Sequence, residues 1–320
     1  MSPPNSQLAP PESAPLIQLR EYAIDPFWND TDGMQFWLWR RQAGKSFHAV
    51  NKAMRRMMEI PGLSSFFCSA SVALGTEFIR KEAEVWAIVL AEMRRRAQAA
   101  GQELRTYAND HGKQLAFDFT DIDALSEIFE AQKLETRIYH TNTVYSRSRV
   151  IAPNPDTAVG WTGDVWLDEV GRMPEFKDVL EAVLPFMSSR RDFRLLAITT
   201  PPPDDSHYSW ELFAPRAGED EFKPNPRGNY YTSQAGYKVH RVDAWDAAAA
   251  GISMYDDITR QPLTPEEHRA RAYDKTAWDR NFGLKFVAGG QAAISLNDIN
   301  RAMQGGPHGV ALDITETLTL

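Results

Sequence analysis

The stretch WLWRRQAGKSFHAV, Trp37 to Val50, decides how this chain is read. Its Gly44-Lys45-Ser46 triplet ends like a phosphate-binding loop. The full pattern GxxxxGK[ST], however, asks for glycine where this chain has Trp39. A phosphate loop works because successive backbone N–H groups and a helix N-terminus converge on phosphate oxygens. For that chemistry Gly44 lets the backbone approach closely, Lys45 meets the β- and γ-phosphates, and Ser46 is a Mg²⁺ ligand. The leading glycine mainly eases entry into the loop, so its loss weakens the pattern without removing the chemistry.

Outward from the loop, QFWLW (Gln35 to Trp39) reads as a buried strand. Phe47, Val50, Met54, Met57 and Met58 recur at helical spacing, so a helix begins near Ser46 and stops at Pro61-Gly62. SSFFCSAS reads as a second strand. A long helix over about Val72 to Arg96 carries Phe78, Val85, Trp86, Val89 and Met93 on one face. Strand-like runs return at TRIYHT, SRVIAP, GDVWLDE and FRLLAITT, with a helix carrying Val179, Leu180, Val183 and Leu184 between the last two. Alternating strands and helices predict an α/β fold with a mostly parallel sheet covered on both faces. Beyond Pro201-Pro202-Pro203 the composition shifts toward loops. The expected division is a flexible Pro/Ser-rich tail over 1–18, a core over 19–210, a smaller lid subdomain over 211–310 and a short tail over 311–320.

Composition narrows the function. The chain has 320 residues, a net charge of −8 and one cysteine, Cys68, which excludes an intrachain disulfide framework and fits a reducing compartment. The N-terminal MSPPNSQLAPPESAPL lacks the basic and apolar regions of a signal peptide, and VWAIVLA is too short to span a bilayer. The acidic balance argues against a surface coated all round by nucleic acid but leaves room for a local basic face. Candidates for that face are Arg55 and Arg56, Arg94 to Arg96, and Arg190 with Arg191, each of which also reads as an ordinary solvated helix end.

Two further motifs follow the loop in the order a nucleotide site requires. In GDVWLDE an apolar strand delivers Asp168 and Glu169 at its C-terminal end, where P-loop ATPases place a Mg²⁺-holding Asp and a water-polarising Glu. One helix and one strand later, LLAITTPPP ends a strand at Thr199 and Thr200, beside the expected Asp168 strand, where a hydroxyl can sense a γ-phosphate. Each motif alone also reads as an ordinary turn or helix cap. Three at strand ends in this order identify a nucleotide site. For the base, Phe27, Trp28 and Gln35 are candidates, with core packing the competing role of the two aromatics.

Together these residues resemble the ATPase domain of the large terminase subunit of tailed phages. That family commonly writes its loop as Arg-Gln-x-Gly-Lys-Ser/Thr, as in Arg41, Gln42, Ala43, Gly44, Lys45 and Ser46 here. The segment APNPDTAVGWTGDVWLDE, the Thr-Thr-Pro motif and RNFGLKFVAGGQAAISLNDI also resemble it, over roughly Leu19 to Met303. The resemblance implies a P-loop ATPase of the ASCE type that binds ATP and Mg²⁺ and drives double-stranded DNA into a procapsid in the host bacterial cytoplasm. Its implied partners are the portal, a small terminase subunit and other copies of itself in a ring, with a monomer in dilute solution. It implies phosphate and Mg²⁺ binding at Lys45, Ser46 and Asp168, water activation by Glu169, coupling by Thr199 and Thr200, and charge stabilisation or loop support by Arg41. Val159 stands where the family often has an arginine, with Arg147 and Arg149 as possible replacements. Large terminases normally continue into a nuclease domain. Here only Asp313 stands where its first strand would begin, so no nuclease activity is expected. The competing readings are a helicase-like remodelling ATPase and an assembly module with a vestigial nucleotide site.

Overall fold

The computed structural model describes residues 15–99, 129–131, 134–141, 143–156 and 160–287. Val159, Asp313 and the end of the RNFGLKFVAGGQAAISLNDI segment lie outside the described residues. A short helix α1 (Glu21–Trp28) leads into strand β1 (Met34–Trp39), and helix α2 (Lys45–Glu59) follows the loop directly. Next come β2 (Ser64–Ser69), the long helix α3 (Val72–Ala99), and strands β3 (Phe129–Ala131), β4 (Glu135–Tyr139) and β5 (Tyr145–Ile151). Strand β6 (Asp164–Asp168) is separated from β7 (Leu195–Thr199) by helix α4 (Phe176–Val183).

One nine-stranded sheet has the order β3-β4-β5-β2-β6-β7-β1-β9-β8, where β8 is Asn229–Thr232 and β9 is Lys238–Val242. The six central strands run parallel, and antiparallel strands close both edges. Pairing of β9 with β1, Phe36 opposite Val239, carries the sheet past the core boundary expected at residue 210. The loop-rich composition after Pro203 marks a change of local structure, but the strands beyond it still find the edge of the same sheet.

Burial of β1 on both faces explains its unbroken apolar run. Trp37 and Trp39 pack under α1, α2 and α3, while Phe36 and Leu38 pack against Val179, Leu180 and Val183 of α4 and against Phe213. Trp39, at the position of the missing glycine, is fully buried; it stacks on Trp37 and donates its indole N–H to His240 Nδ1 at 2.9 Å. The loop takes its positive φ at Gln42 (61°) and Gly44 (78°), so glycine is needed at Gly44 and not at position 39.

After β9 the chain forms a small unit from α6 (Ala244–Ala249), α7 (Pro265–Arg271) and α8 (Lys275–Asn281), preceded in sequence by the short α5 (Ser209–Phe213). Ala244, Met254 and Trp278 form its own buried cluster. No helix among the described residues is long and apolar enough to cross a membrane.

Candidate active site

Parallel neighbours β6, β7 and β1 end at the same edge of the sheet, and the segments leaving that edge hold the candidate residues. Register sets Asp168 opposite Ile198 and Leu38 opposite Thr199, so the loop, the acidic pair and the threonines come together although they are far apart in sequence. Ser46 Oγ donates to Asp168 Oδ2 at 2.9 Å. Lys45 Nζ, on a side chain only 6% exposed, lies 3.1 Å from Glu169 Oε1.

That ammonium is buried and, among the described residues, makes no aligned hydrogen bond to an acceptor. A buried cation with unused donors is costly unless another acceptor meets it, and phosphate oxygens are such acceptors. Ser46 and Asp168 offer only oxygen donors, the set that suits a hard cation such as Mg²⁺. Among the described residues no group of three or more His, Cys, Asp or Glu side chains could hold a metal by itself, so phosphate oxygens and water would complete that shell. The residues fit ATP with Mg²⁺. Burial, and then the charge of Glu169, push the Asp168 carboxyl upward, while Lys45 and Ser46 oppose the shift.

Glu169 adopts a left-handed backbone, with φ 54°, and its N–H donates to Asp168 Oδ1 at 3.0 Å. A non-glycine residue held there is strained. The turn that follows, Val170–Arg172, is fixed from behind: Gly171 N–H donates to Thr199 Oγ1 at 2.9 Å, and Thr199 Oγ1 donates to the Thr200 carbonyl at 2.6 Å. A Cβ on Gly171 would sit 2.7 Å from Thr199 Oγ1, so only glycine fits. The sequence reading has a threonine hydroxyl sensing phosphate directly. In the structure the Thr199 hydroxyl is committed to the Glu169 turn, and Thr200 is buried beside it.

The Arg41 guanidinium is exposed and makes no hydrogen bond or ion pair among the described residues, while its backbone N–H donates to Asn281 O at 2.9 Å. Gln42 is exposed and Ala43 buried. Residues that the sequence reading left without a role hold the loop from outside. Tyr22 OH donates to the Ala43 carbonyl at 2.9 Å, and Arg20 Nη1 donates to the Gln42 carbonyl at 3.2 Å. His48 accepts the Arg20 N–H on Nε2, so its proton sits on Nδ1 and is donated to the Gly44 carbonyl at 2.8 Å. Burial pushes the His48 pKa down to about 4, which keeps the ring neutral in that role. The only sequence signal was a histidine at the i+4 position from Gly44 on the first turn of α2.

Other expectations fall elsewhere. Gln35, near the start of β1 and away from the loop, donates to the Asn29 carbonyl and accepts from Lys52. Phe27 is buried and Trp28 exposed, both beneath the Arg55 guanidinium. Arg147 pairs in register with Ser64 at the start of β2, and both Arg147 and Arg149 lie over Trp161, away from the loop edge. Five of the arginines considered for a basic face are engaged in ion pairs. Arg56 is 3% exposed and bound to Asp164, Arg55 pairs with Asp30 and Glu59, Arg95 and Arg96 pair with Glu92, and Arg190 pairs with Asp192.

A phosphate loop, an acidic pair one strand beyond a polar strand end, and six central parallel strands define a P-loop ATPase fold. Among solved structures the chain is similar to the large terminase ATPase domain of Thermus phage P74-26, with a TM-score of 0.53 and 19% identity over 84% of this chain and 94% of that one. It is similar to a point mutant of that domain with a TM-score of 0.51 and 19% identity, over 85% and 94%. At this identity the likeness establishes the fold, which is the one the motif order predicts. No known family profile matches the chain, and no curated protein sequence does.

Proposed function

We propose that this chain is an ATP-hydrolysing motor domain that drives double-stranded viral DNA into a procapsid. The observation that carries the reading is the convergence of Lys45, Ser46, Asp168 and Glu169 at one sheet edge, with the ammonium buried and short of acceptors. In this reading Lys45 and the N–H groups around Gly44 hold the phosphates, with Gln42 and Ala43 shaping the loop. Ser46 and Asp168 hold Mg²⁺, which neutralises developing charge on the phosphates when bound. Glu169 takes a proton from the attacking water. Thr199 supports the Glu169 turn through Gly171, the coupling role assigned to it and Thr200. Arg41, free at the surface, suits an arginine finger for the chain's own site or a neighbour's.

The DNA-packaging part rests on the resemblance of the motifs and on the fold shared with a terminase ATPase domain. It carries with it a portal or procapsid, a small terminase subunit, assembly into a ring and action in the host cytoplasm. The test is ATP hydrolysis by the purified chain, with and without double-stranded DNA, beside Lys45→Ala. The expected result is slow Mg²⁺-dependent turnover by a mostly monomeric protein. Lys45→Ala should bind nucleotide about 10- to 100-fold more weakly, the loss of one charge-assisted contact. Equal affinity in the two proteins would remove the loop from the mechanism.

A further inference from the structure

We infer that Arg20, Tyr22 and His48 are positioning residues of the phosphate loop, set in place by the tryptophan that stands where the leading glycine is missing; this rests on the proposed reading of the loop. Every carbonyl from Arg40 to Gly44 is engaged on the protein side. Arg40 O accepts from Ala43 N–H at 3.3 Å, and Arg41 O from Arg40 Nη1 at 3.0 Å. The next three carbonyls, of Gln42, Ala43 and Gly44, accept from Arg20 Nη1, Tyr22 OH and His48 Nδ1 at 3.2, 2.9 and 2.8 Å. By contrast, the backbone N–H groups of Gln42, Gly44, Lys45 and Ser46 find no acceptor among the described residues. Carbonyls held, amides free and left-handed φ at Gln42 and Gly44 make the loop an anion nest in its own right.

The three side chains can hold the loop because they are themselves fixed. Trp39 is fully buried and packs edge-to-face with the Tyr22 ring, centroids 5.3 Å apart, and with the His48 ring, 5.7 Å apart. Arg20 ties the two rings together, its Nη1 donating to Tyr22 OH at 2.8 Å and its backbone N–H to His48 Nε2 at 3.4 Å. A glycine at position 39 would leave both rings without that support. The residue that breaks the phosphate-loop pattern therefore builds the frame that holds this loop. Arg20, Tyr22 and His48 act through the backbone, whereas Lys45 would meet the phosphates itself. Without them the ligand would have to order the loop on binding, and affinity would fall.

Calorimetric titration with inorganic tripolyphosphate and with ATP, both with Mg²⁺, tests the role beside thermal unfolding of each protein. Tyr22→Phe keeps the ring against Trp39 and removes only the hydroxyl. It should weaken both ligands by the same factor, about 3- to 10-fold, the effect of one hydrogen bond. His48→Leu should weaken both in the same way. His48→Asn, whose amide can donate where Nδ1 does, should bring binding back to within about threefold of wild type. A lower thermal midpoint in Tyr22→Phe and His48→Leu, with the folded proteins binding both ligands as wild type does, would make the contacts structural and overturn the inference alone. Equal losses in His48→Leu and His48→Asn would overturn the assignment of His48. Failure of the wild type to bind either compound would remove the loop reading and the inference together.

Discussion

Strand β6 carries an aspartate at each end, Asp164 buried and Asp168 half-buried, and the two are treated in opposite ways. Asp164, at the start, receives Arg56 Nε at 2.6 Å, Arg56 Nη2 at 3.1 Å and Arg194 N–H at 2.8 Å. Burial pushes its pKa up, against the pull of the Arg56 guanidinium. Asp168, at the other end, has a hydroxyl and its neighbour's N–H for partners, and beside it a second carboxylate that adds to the upward push. One end of the strand is closed electrostatically and the other is left open. An open end, with like charges close together and a buried ammonium short of acceptors, is what a site for a phosphate and a divalent cation needs.

The largest expected effect lies at the open end. Glu169→Gln should lower kcat by about 10²- to 10⁴-fold, because an amide of the same shape cannot take a proton from water. Nucleotide binding and the thermal midpoint should stay near wild type. A midpoint falling as far as that of a closed-end variant would show that Glu169 is structural and break the comparison.

At the closed end Arg56→Ala should cost about 3–5 kcal/mol of stability, since it leaves the Asp164 carboxylate buried without its cation. Urea unfolding measures the loss. ATP turnover per folded molecule should be unchanged, and a fall in turnover below the unfolding transition would mean that the two ends of β6 communicate.

A third carboxyl sharpens the contrast. Glu82 on α3 is fully buried and accepts from Thr136 Oγ1 at 2.5 Å, but no cation among the described residues pairs with it; burial pushes its pKa up to about 7. A folded pKa above the unfolded one means that the folded state holds its proton longer. Stability is therefore fully present below about pH 4.5 and declines as the pH rises to about 7, a loss of roughly 3 kcal/mol. Glu82→Gln should flatten that profile and raise the midpoint at pH 8. An unchanged slope between pH 4.5 and 7 would assign the pH dependence to other groups.

Much of the fold was legible. The runs around Trp37, Phe67, Trp166 and Ala197 read as strands because burial on both faces leaves no polar alternation to mistake, and α2 and α3 declared themselves by their apolar faces. That the loop and the acidic pair would meet was legible because each is a run of contiguous residues at a strand end. The roles of Arg56, His48, Gly171 and Arg20 were not. Arg56 looked like a solvated helix arginine because its partner Asp164 is 108 positions away. The glutamine proposed for the base was close to the loop in sequence but lies toward the opposite end of the strand.

From the sequence alone followed the alternation of strands and helices, the mostly parallel sheet and the proposed site roles of Lys45, Ser46, Asp168 and Glu169. All of these are carried by periodicity or by short motifs, whose geometry depends on the backbone within a turn or two. Only the tertiary structure decided that β9 extends the sheet beside β1, that Asp164 and Asp168 have opposite surroundings, and that Arg20, Tyr22 and His48 converge on the loop carbonyls. Those outcomes depend on which distant segments come into contact, and a buried charge takes its character from the groups that fold against it.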